Sequence, residues 1–155
     1  MTALKLVKPE PEQVNDITIQ GIPSHLVDHF WPFAEPYIKR ALDQTVGEFK
    51  PEDFHTWCKN QEMQLWLICR KDRIIAALTT QIVNYPHRKH CRIATLGGSF
   101  GKDSDLLHKK MFETIDKWAK ELGCISVEAY TRKGYSRRLL DFNFKHKCSV
   151  MIKDL

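Results

Sequence analysis

The chain has 155 residues, of which 43% are hydrophobic and 28% are charged, and its formal net charge is +5. This composition is typical of a globular domain with one sizeable core, so we expect a single domain over residues 1–155. No apolar run reaches the roughly 18 residues of a membrane-spanning helix, and residues 1–13 lack the apolar core of a signal peptide, which predicts a protein outside membranes that works where it is made.

The first part of the chain, residues 17–60, is predicted to be helical. Lys8–Asp16 before it reads as a loop, because its two prolines fix φ and remove backbone donors. Ser24 is the predicted N-cap of a helix in HLVDHFWPFAEPYIKRAL. Pro32 and Pro36 interrupt that helix, which predicts either two short helices or one kinked helix.

Residues 61–155 are predicted to form a core of sheet and helix. Just before them, Pro51 begins a short predicted helix over Lys50–Asn60. The segments MQLWLICR and RIIAALTTQIVNY are rich in β-branched, aromatic and leucine residues, which predicts a hairpin that turns at Lys71-Asp72. CRIATLGG follows as a third strand, so these segments predict an antiparallel meander.

The clearest predicted helix is DSDLLHKKMFETIDKWAKELG. Ser104 or Asp103 can cap its start, and Gly123 can cap its end in the left-handed conformation. Apolar residues at spacings of 4, 4, 3 and 4 give it a single buried stripe, formed by Leu107, Met111, Ile115, Trp118 and Leu122.

The remaining segments predict the topology of the sheet. CISVEAY is a predicted strand after the long helix, and strand, helix, strand in this order predicts a parallel crossover. KGYSRRLLDF is a predicted short helix, and KHKCSVMIKDL is a predicted final strand. The whole order predicts an α/β fold with a mixed, mostly antiparallel sheet and helices packed on its faces.

The five cysteines predict neither a disulfide framework nor a metal site. None of them forms a C-x-x-C pair. Cys69, Cys91 and Cys124 lie in or beside apolar segments, so we interpret them as core residues of a protein in a reducing compartment.

This order of elements resembles the GNAT superfamily of acyl-CoA-dependent N-acetyltransferases. The C-terminal half carries the resemblance: WAKELG is similar to the W-A-x-x-x-G that ends their long helix. DFNFK is similar to their K-x-G-F, with Asn143 in place of glycine. The resemblance implies a GNAT-like sheet and, in active members, acetyl-CoA as cofactor.

A further resemblance, over nearly the whole chain, is to the small GNAT-like proteins that tailed bacteriophages encode near their head and tail genes. It rests on HFWPFAEPYIKRAL, on the LW and YPHRK segments, on LGG, on GC and on RKGY. It implies a phage origin, with location in the host cytoplasm during infection or in the virion. It establishes no activity, because function depends on the site and not on the fold.

Acetyl-CoA binding in the superfamily uses a Q/R-x-x-G-x-G/A loop before the long helix. Its glycines let the backbone approach the pyrophosphate, and the helix N-terminus supplies partial positive charge. Counting back from WAKELG places this motif at Asp103 to His108, where the sequence is DSDLLH. Two leucines fill the central positions, and the carboxylates of Asp103 and Asp105 would repel a diphosphate. We therefore expect no cofactor, and acetyl-CoA only if the loop works in a divergent form.

A shifted loop, GGSFGK, is the alternative cradle for a phosphate. Its candidate residues are Leu96, Gly97, Gly98, Ser99 and Lys102. The segment lacks the full P-loop pattern, and a glycine bulge and turn that close a strand explain it more simply.

The candidates for catalysis are few. Superfamily members often place a tyrosine acid four residues before the glycine of G-F, and that position is Leu139 in this chain. Tyr135 is the nearest phenol, one helical turn earlier. His90 and Glu128 are candidates for a general base by strand position alone, and an isolated strand histidine is more often structural.

Three functions remain open. The first is a GNAT-fold protein without acetyl-CoA chemistry, which acts in a phage particle or its assembly through contacts with other phage proteins. Its candidate contact residues are aromatic and basic: Phe30, Trp31, Phe33, Tyr37, Arg132, Arg137 and Arg138. The aromatic residues either only cover the sheet or form an interface with another protein.

The second function is an active N-acetyltransferase, in which a substrate amine attacks a thioester that is polarised by a strand N–H near Leu96 or Gly97. The third is nucleic-acid binding through the basic C-terminal residues. It has no recognised motif, so we rank it last.

Overall fold

The computed structural model describes residues 16–155, in which one five-stranded sheet forms the centre of the fold. The strands lie in sequence order across the sheet. The first four pair as antiparallel neighbours, and the fifth runs parallel to the fourth. The predicted mixed, mostly antiparallel α/β fold is therefore confirmed. The strands are β1 Ile17–Ile22, β2 Gln64–Arg70, β3 Arg73–Asn84, β4 Lys89–Gly98 and β5 Ser126–Ala129.

Four α-helices pack on the sheet within the described residues. Short 3₁₀ turns, Ser24–Leu26 and Gly101–Asp103, precede the first and the third. The α-helices are α1 Val27–Leu42, α2 Pro51–Lys59, α3 Ser104–Glu121 and α4 Lys133–Leu140. No described helix has the length and apolarity needed to cross a membrane.

Each face of the sheet carries its own apolar core. On one face α1 and α2 pack, with Ile38 and Phe54 among the buried residues. On the other face α3 packs through Leu107, Met111 and Ile115. The predicted stripe of α3 is confirmed at these three positions, whereas Leu122 at its end is exposed. Gly123 ends α3 at φ +84°, in the left-handed conformation that was predicted for it.

The predicted helical character of residues 17–60 is wrong for the first six, which form β1. Ile17 and Ile22 are buried, and the whole strand pairs with β2. The predicted loop at Lys8–Asp16 lies outside the described residues except for Asp16. Ser24 is not the N-cap: it lies in the 3₁₀ turn, and α1 begins at Val27 without a side-chain cap.

Helix α1 is continuous through both of its prolines, so the alternative of two short helices is wrong. Pro32 and Pro36 are one turn apart, and each removes one backbone hydrogen bond from the helix. Tertiary packing outweighs this loss, because five side chains spaced by 4, 3, 4 and 4 residues are buried along one face. They are Val27, Trp31, Ala34, Ile38 and Leu42.

The predicted final strand in residues 145–155 is also wrong. Phe142 and Phe144 pack on Phe112, with ring centroids 5.3 and 5.2 Å apart, and Asn143 between them turns the chain at φ +69°. Every residue from Lys145 onward is exposed and outside regular secondary structure. The β-branched composition of this segment is thus not sufficient to bring it into the sheet.

Candidate functional site

The strand β4 contains a bulge where it leaves β5. Thr79 pairs with Thr95 while Thr80 pairs with Ile93, so β4 carries one extra residue, Ala94. The parallel pairing with β5 ends at the same point, at Ile93 and Ala129. The last residues of β4, Thr95 to Gly98, are therefore unpaired on the β5 side.

The start of α3 is occupied by ion pairs of the chain itself. The Asp103 carboxylate lies 3.1 Å from Arg70 Nη2, and the Asp105 carboxylate lies 2.7 Å from Arg138 Nη2. Arg138 also donates to Ser104 Oγ at 2.6 Å. A side-chain cap from Ser104 or Asp103 was predicted. Asp103 does stand at the N-cap position, but neither side chain forms a capping hydrogen bond.

His108 fills the space behind the first turn of α3. Its side chain is 2% exposed and lies against Phe100 and Phe142, with ring centroids 4.7 and 5.5 Å away. Nδ1 lies 2.7 Å from the Ser104 carbonyl oxygen, and Nε2 lies 2.9 Å from the Tyr135 hydroxyl. A carbonyl only accepts, so Nδ1 carries the proton and Nε2 accepts from Tyr135.

The two members of this pair are held neutral by burial. Burial lowers the pKa of His108, and the bond to the Ser104 carbonyl only partly offsets it. Burial likewise raises the pKa of Tyr135. The phenol, our candidate for a catalytic acid, is thus committed to His108, and Leu139 at the usual acid position is buried.

The two candidates for a general base meet on the sheet. Side chains alternate along β4, and Cys91 and Ile93 point into the α3 core. His90 and Arg92 therefore face the other side of the sheet. His90 Nδ1 lies 3.2 Å from Glu128 Oε1, and Arg88 Nε donates to His90 Nε2 at 2.9 Å. Both ring nitrogens of His90 are therefore engaged.

Glu128 is the centre of this network, and its Oε1 is within hydrogen-bond distance of both Tyr85 and His90. Tyr85 donates to it at 2.8 Å, and Arg92 lies 3.6 Å away. Burial alone would raise the pKa of Glu128, but the bond from Tyr85, the charge of Arg92 and the bond from His90 outweigh it and hold that pKa below its ordinary value. A carboxylate in this state is a weak base, and it links β5 to β4 and to the β3–β4 turn.

The glycines of the candidate phosphate loop have packing roles. A Cβ on Gly97 would lie 2.2 Å from the Tyr37 carbonyl oxygen, and one on Gly98 would lie 2.3 Å from Ala76 Cβ. Leu96 packs against the α3 core. Ser99 and Lys102 instead line a groove beside the β2–β3 turn, with Arg70 and Arg73.

The candidate contact residues are divided between core and surface. Trp31 is buried and stacks on His55 at 4.5 Å, and Tyr37 donates to the Ile74 carbonyl at 3.1 Å. Phe30 is partly buried on the same core, whereas Phe33 is 53% exposed. In the basic part, Arg138 is held by Asp105 as described, and Arg132 and Arg137 are exposed. A role of these residues in partner contacts stays a prediction.

Sequence reasoning missed the network around His108. The available signal was helical spacing, because Ser104, His108, Met111, Ile115 and Ala119 follow the buried face of α3 at intervals of three or four. The partners Arg138 and Tyr135 come from α4, and no local pattern connects the two helices. Within the described residues no group of three or more histidine, cysteine, aspartate or glutamate side chains is arranged to hold a metal.

Comparison with known proteins identifies the fold. No family model matches the sequence, and no curated protein matches it. Among solved structures, an aminoglycoside acetyltransferase from an uncultured soil metagenomic sample, crystallised with sisomicin, superposes with a TM-score of 0.68 at 12% identity, over 91% of this chain and 97% of that one.

Two further structures agree. A predicted acetyltransferase from Clostridium acetobutylicum with acetyl-CoA has a TM-score of 0.66 at 11% identity, over 89% and 96% of the two chains. Glucosamine-6-phosphate N-acetyltransferase from Arabidopsis thaliana has a TM-score of 0.61 at 17% identity, over 89% and 97%. The chain therefore has the fold of the GNAT acetyltransferases, and at these identities the likeness is one of fold.

Proposed function

We propose that this protein is a phage-encoded member of the GNAT fold in which the chain's own side chains occupy the pyrophosphate position, and that it works through contacts with other phage proteins in the virion or its assembly. The observation that carries the proposal is the first turn of α3, where Asp103 and Asp105 are held in ion pairs and His108 is buried. We call this arrangement the closed turn. The phage assignment is supported by the sequence resemblance described above.

The closed turn opposes a coenzyme in two ways. Asp103 and Asp105 are both near the helix N-terminus and are paired with Arg70 and Arg138, so a diphosphate would have to break these ion pairs to bind there. Each carboxylate freed in this way would repel a unit negative charge by about 1 kcal/mol at 4 Å in a water-like dielectric. His108 stands at the last position of the superfamily motif, where glycine or alanine leaves room, and its imidazole is packed among aromatic rings. The charge of the two carboxylates and the volume of the imidazole thus both oppose binding of the coenzyme's diphosphate.

The C-terminal segment supports the contact role. Val150, Met151 and Ile152 are all exposed, Met151 by 89%. The segment from Lys145 has no strand partner in the described part of the chain, and an exposed apolar segment of β-branched residues is suited to strand addition on a partner. Phe33 adds an exposed aromatic side chain on α1.

Titration calorimetry with acetyl-CoA tests the closed turn. We expect no heat of binding up to millimolar ligand, with the acetyltransferase from Clostridium acetobutylicum as the positive control for the ligand. Binding at micromolar concentration would overturn the proposal.

Deletion of residues 147–155 tests the contact role. These side chains take no part in either core, so the circular dichroism spectrum and the melting temperature should be unchanged. Phage particles that carry the deletion should lose the protein from the purified virion or show an assembly defect. Normal incorporation and normal particle yield would contradict the contact role of this segment.

A second candidate function is N-acyl transfer from acyl-CoA, and the bulge in β4 favours it. The unpaired main chain after Ala94 leaves N–H groups near Leu96 and Gly97 that can polarise a thioester carbonyl. A substrate amine would attack that carbon and lose a proton to solvent as the amide forms, while the carbon–sulfur bond breaks and the leaving thiolate takes a proton from solvent. The solved acetyl-CoA complex of the same fold supports this candidate. The calorimetric titration separates the two functions.

A further inference from the structure

A cationic groove lies on the side of β4 away from β5. It has a volume of about 560 Å³ and is formed between the β2–β3 turn and the connection from β4 to α3. Arg70 pairs with Arg73 across the turn, and Ser99 N donates to the Ile75 carbonyl at 3.0 Å, which holds the connection over the first residues of β3. The groove is thus built from two elements that the sheet fixes relative to each other.

The lining of the groove is strongly asymmetric in charge. Among the described residues that line it there are three cations, Arg70, Arg73 and Lys102, and one carboxylate, that of Asp103, so these side chains sum to a formal charge of +2. Asp103 holds Arg70 at 3.1 Å, and the Arg70 side chain is only 16% exposed, so this guanidinium is fixed in place. Among the described residues no ion pair is formed by Arg73 or Lys102, and both side chains face solvent.

The remaining wall of the groove is apolar. Ile75 and Phe100 both line it, and both pack against the α3 core. A site with a cationic end and an apolar wall suits a ligand with an anionic group on an organic body. The groove is wide and open to solvent, so it leaves room for an organic body attached to the anionic group.

The backbone of the connection adds donors to the same end. Phe100 has φ −91° and ψ −23°, in the right-handed region, and Gly101 follows at φ +59°. A right-handed residue followed by a left-handed one directs successive N–H groups to one side, which is a common anion-binding arrangement. Glycine adopts this φ without strain, and a Cβ at this position would meet open space.

We propose that this groove binds a small organic phosphate monoester, with the phosphate between Arg73, Lys102 and the backbone at Gly101 and the organic part on Phe100. A phosphate monoester carries close to two negative charges at neutral pH, which neutralise the formal +2 of the lining. The site shares the Arg70–Asp103 ion pair with the start of α3, and it lies on the side of the β4–α3 connection that faces the β2–β3 turn.

Calorimetry with adenosine 5′-monophosphate and with adenosine tests the proposal. We expect the monophosphate to bind and adenosine to give no heat under the same conditions. The double variant R73Q/K102Q should weaken binding at least tenfold. The control K109Q/K117Q removes the same two charges from the exposed face of α3 and should change affinity less than twofold.

Amide chemical shifts locate the ligand independently of affinity. The Gly101 and Lys102 amides should move on titration, while the amide of Gly134 in the basic helix α4 should not. Equal binding of adenosine, equal loss in both double variants, or shifts centred on Gly134 would each overturn the site. So would tighter, length-dependent binding of an oligonucleotide that both double variants weaken alike, because that is general adhesion to nucleic acid.

Discussion

Replacing Gly97 by alanine is the sharpest test of how the loop after β4 is built. The new Cβ would lie 2.2 Å from the carbonyl oxygen of Tyr37 and 3.0 Å from its carbonyl carbon. Both are backbone atoms of α1, so no side chain can rotate away. To restore ordinary contact, α1 must retreat by about 1 Å, which loosens its packing on the sheet.

The expected cost is at the upper end of that for overpacking, about 3 kcal/mol, or a fall of roughly 6–12 °C in the melting temperature for a chain of this size. Urea unfolding followed by tryptophan fluorescence measures it. Two matched variants calibrate the series. Gly101→Ala should cost about 1 kcal/mol, because φ is +59° but space is open. Gly134→Ala, in open space on α4, should be neutral or stabilising by up to about 0.5 kcal/mol. If Gly97→Ala is as stable as the wild type, the packing explanation of this glycine is wrong.

Three further predictions concern titratable groups. The pKa of His108 is lower in the folded than in the unfolded chain, so neutral His108 contributes to stability above the unfolded pKa of about 6.5, and this contribution is lost as pH falls toward the folded pKa. His108→Gln should therefore flatten the decline in the free energy of unfolding between pH 7.5 and 5.5. Glu128→Gln should cost about 1–3 kcal/mol in urea unfolding at pH 7, since it leaves the Arg92 charge without its carboxylate, and a loss under 0.3 kcal/mol would contradict the anchoring role of Glu128. Burial raises the pKa of the Cys58 and Cys91 thiols to about 12, so in a thiol-reagent assay of the native protein the exposed Cys148 should react first, and Cys148→Ser should abolish that fast phase.

The parts of the fold that sequence predicted correctly are those in which local periodicity and tertiary packing agree. The stripe through Leu107, Met111 and Ile115 predicted α3, and the β-branched, aromatic and leucine residues on both sides of Lys71-Asp72 predicted the hairpin of β2 and β3. Strand β1 was missed because its six residues pair with β2 more than forty positions later, and no local pattern encodes that partner. The prolines of α1 misled for the same reason, since the packing that stabilises the helix is not local.

The sequence predicted several of the residues that lie at the candidate site, but not the contacts that they make with other elements. Leucines and acids in place of the glycine loop were evident from DSDLLH, and the structure places both acids in ion pairs with arginines from other elements. His90 and Glu128 were proposed by strand position, and pairing of β4 with β5 does bring them together. Tyr85 and Arg88 on the β3–β4 turn hydrogen-bond to Glu128 and His90 respectively, and strand position alone does not reveal these partners.

The acids at the start of α3 serve the fold and, in the function we propose, oppose a coenzyme by the same physics. A helix N-terminus favours negative charge, so either a bound phosphate or the chain's own carboxylates can satisfy it. Here Asp103 and Asp105 supply that charge, and Arg70 and Arg138 then balance it from β2 and α4. A diphosphate would have to displace these pairs and would meet the same carboxylates on entry. In the groove behind Gly101 the balance is reversed: cations exceed carboxylates there, so that an anion is more favourable on that side of the loop than at the helix start.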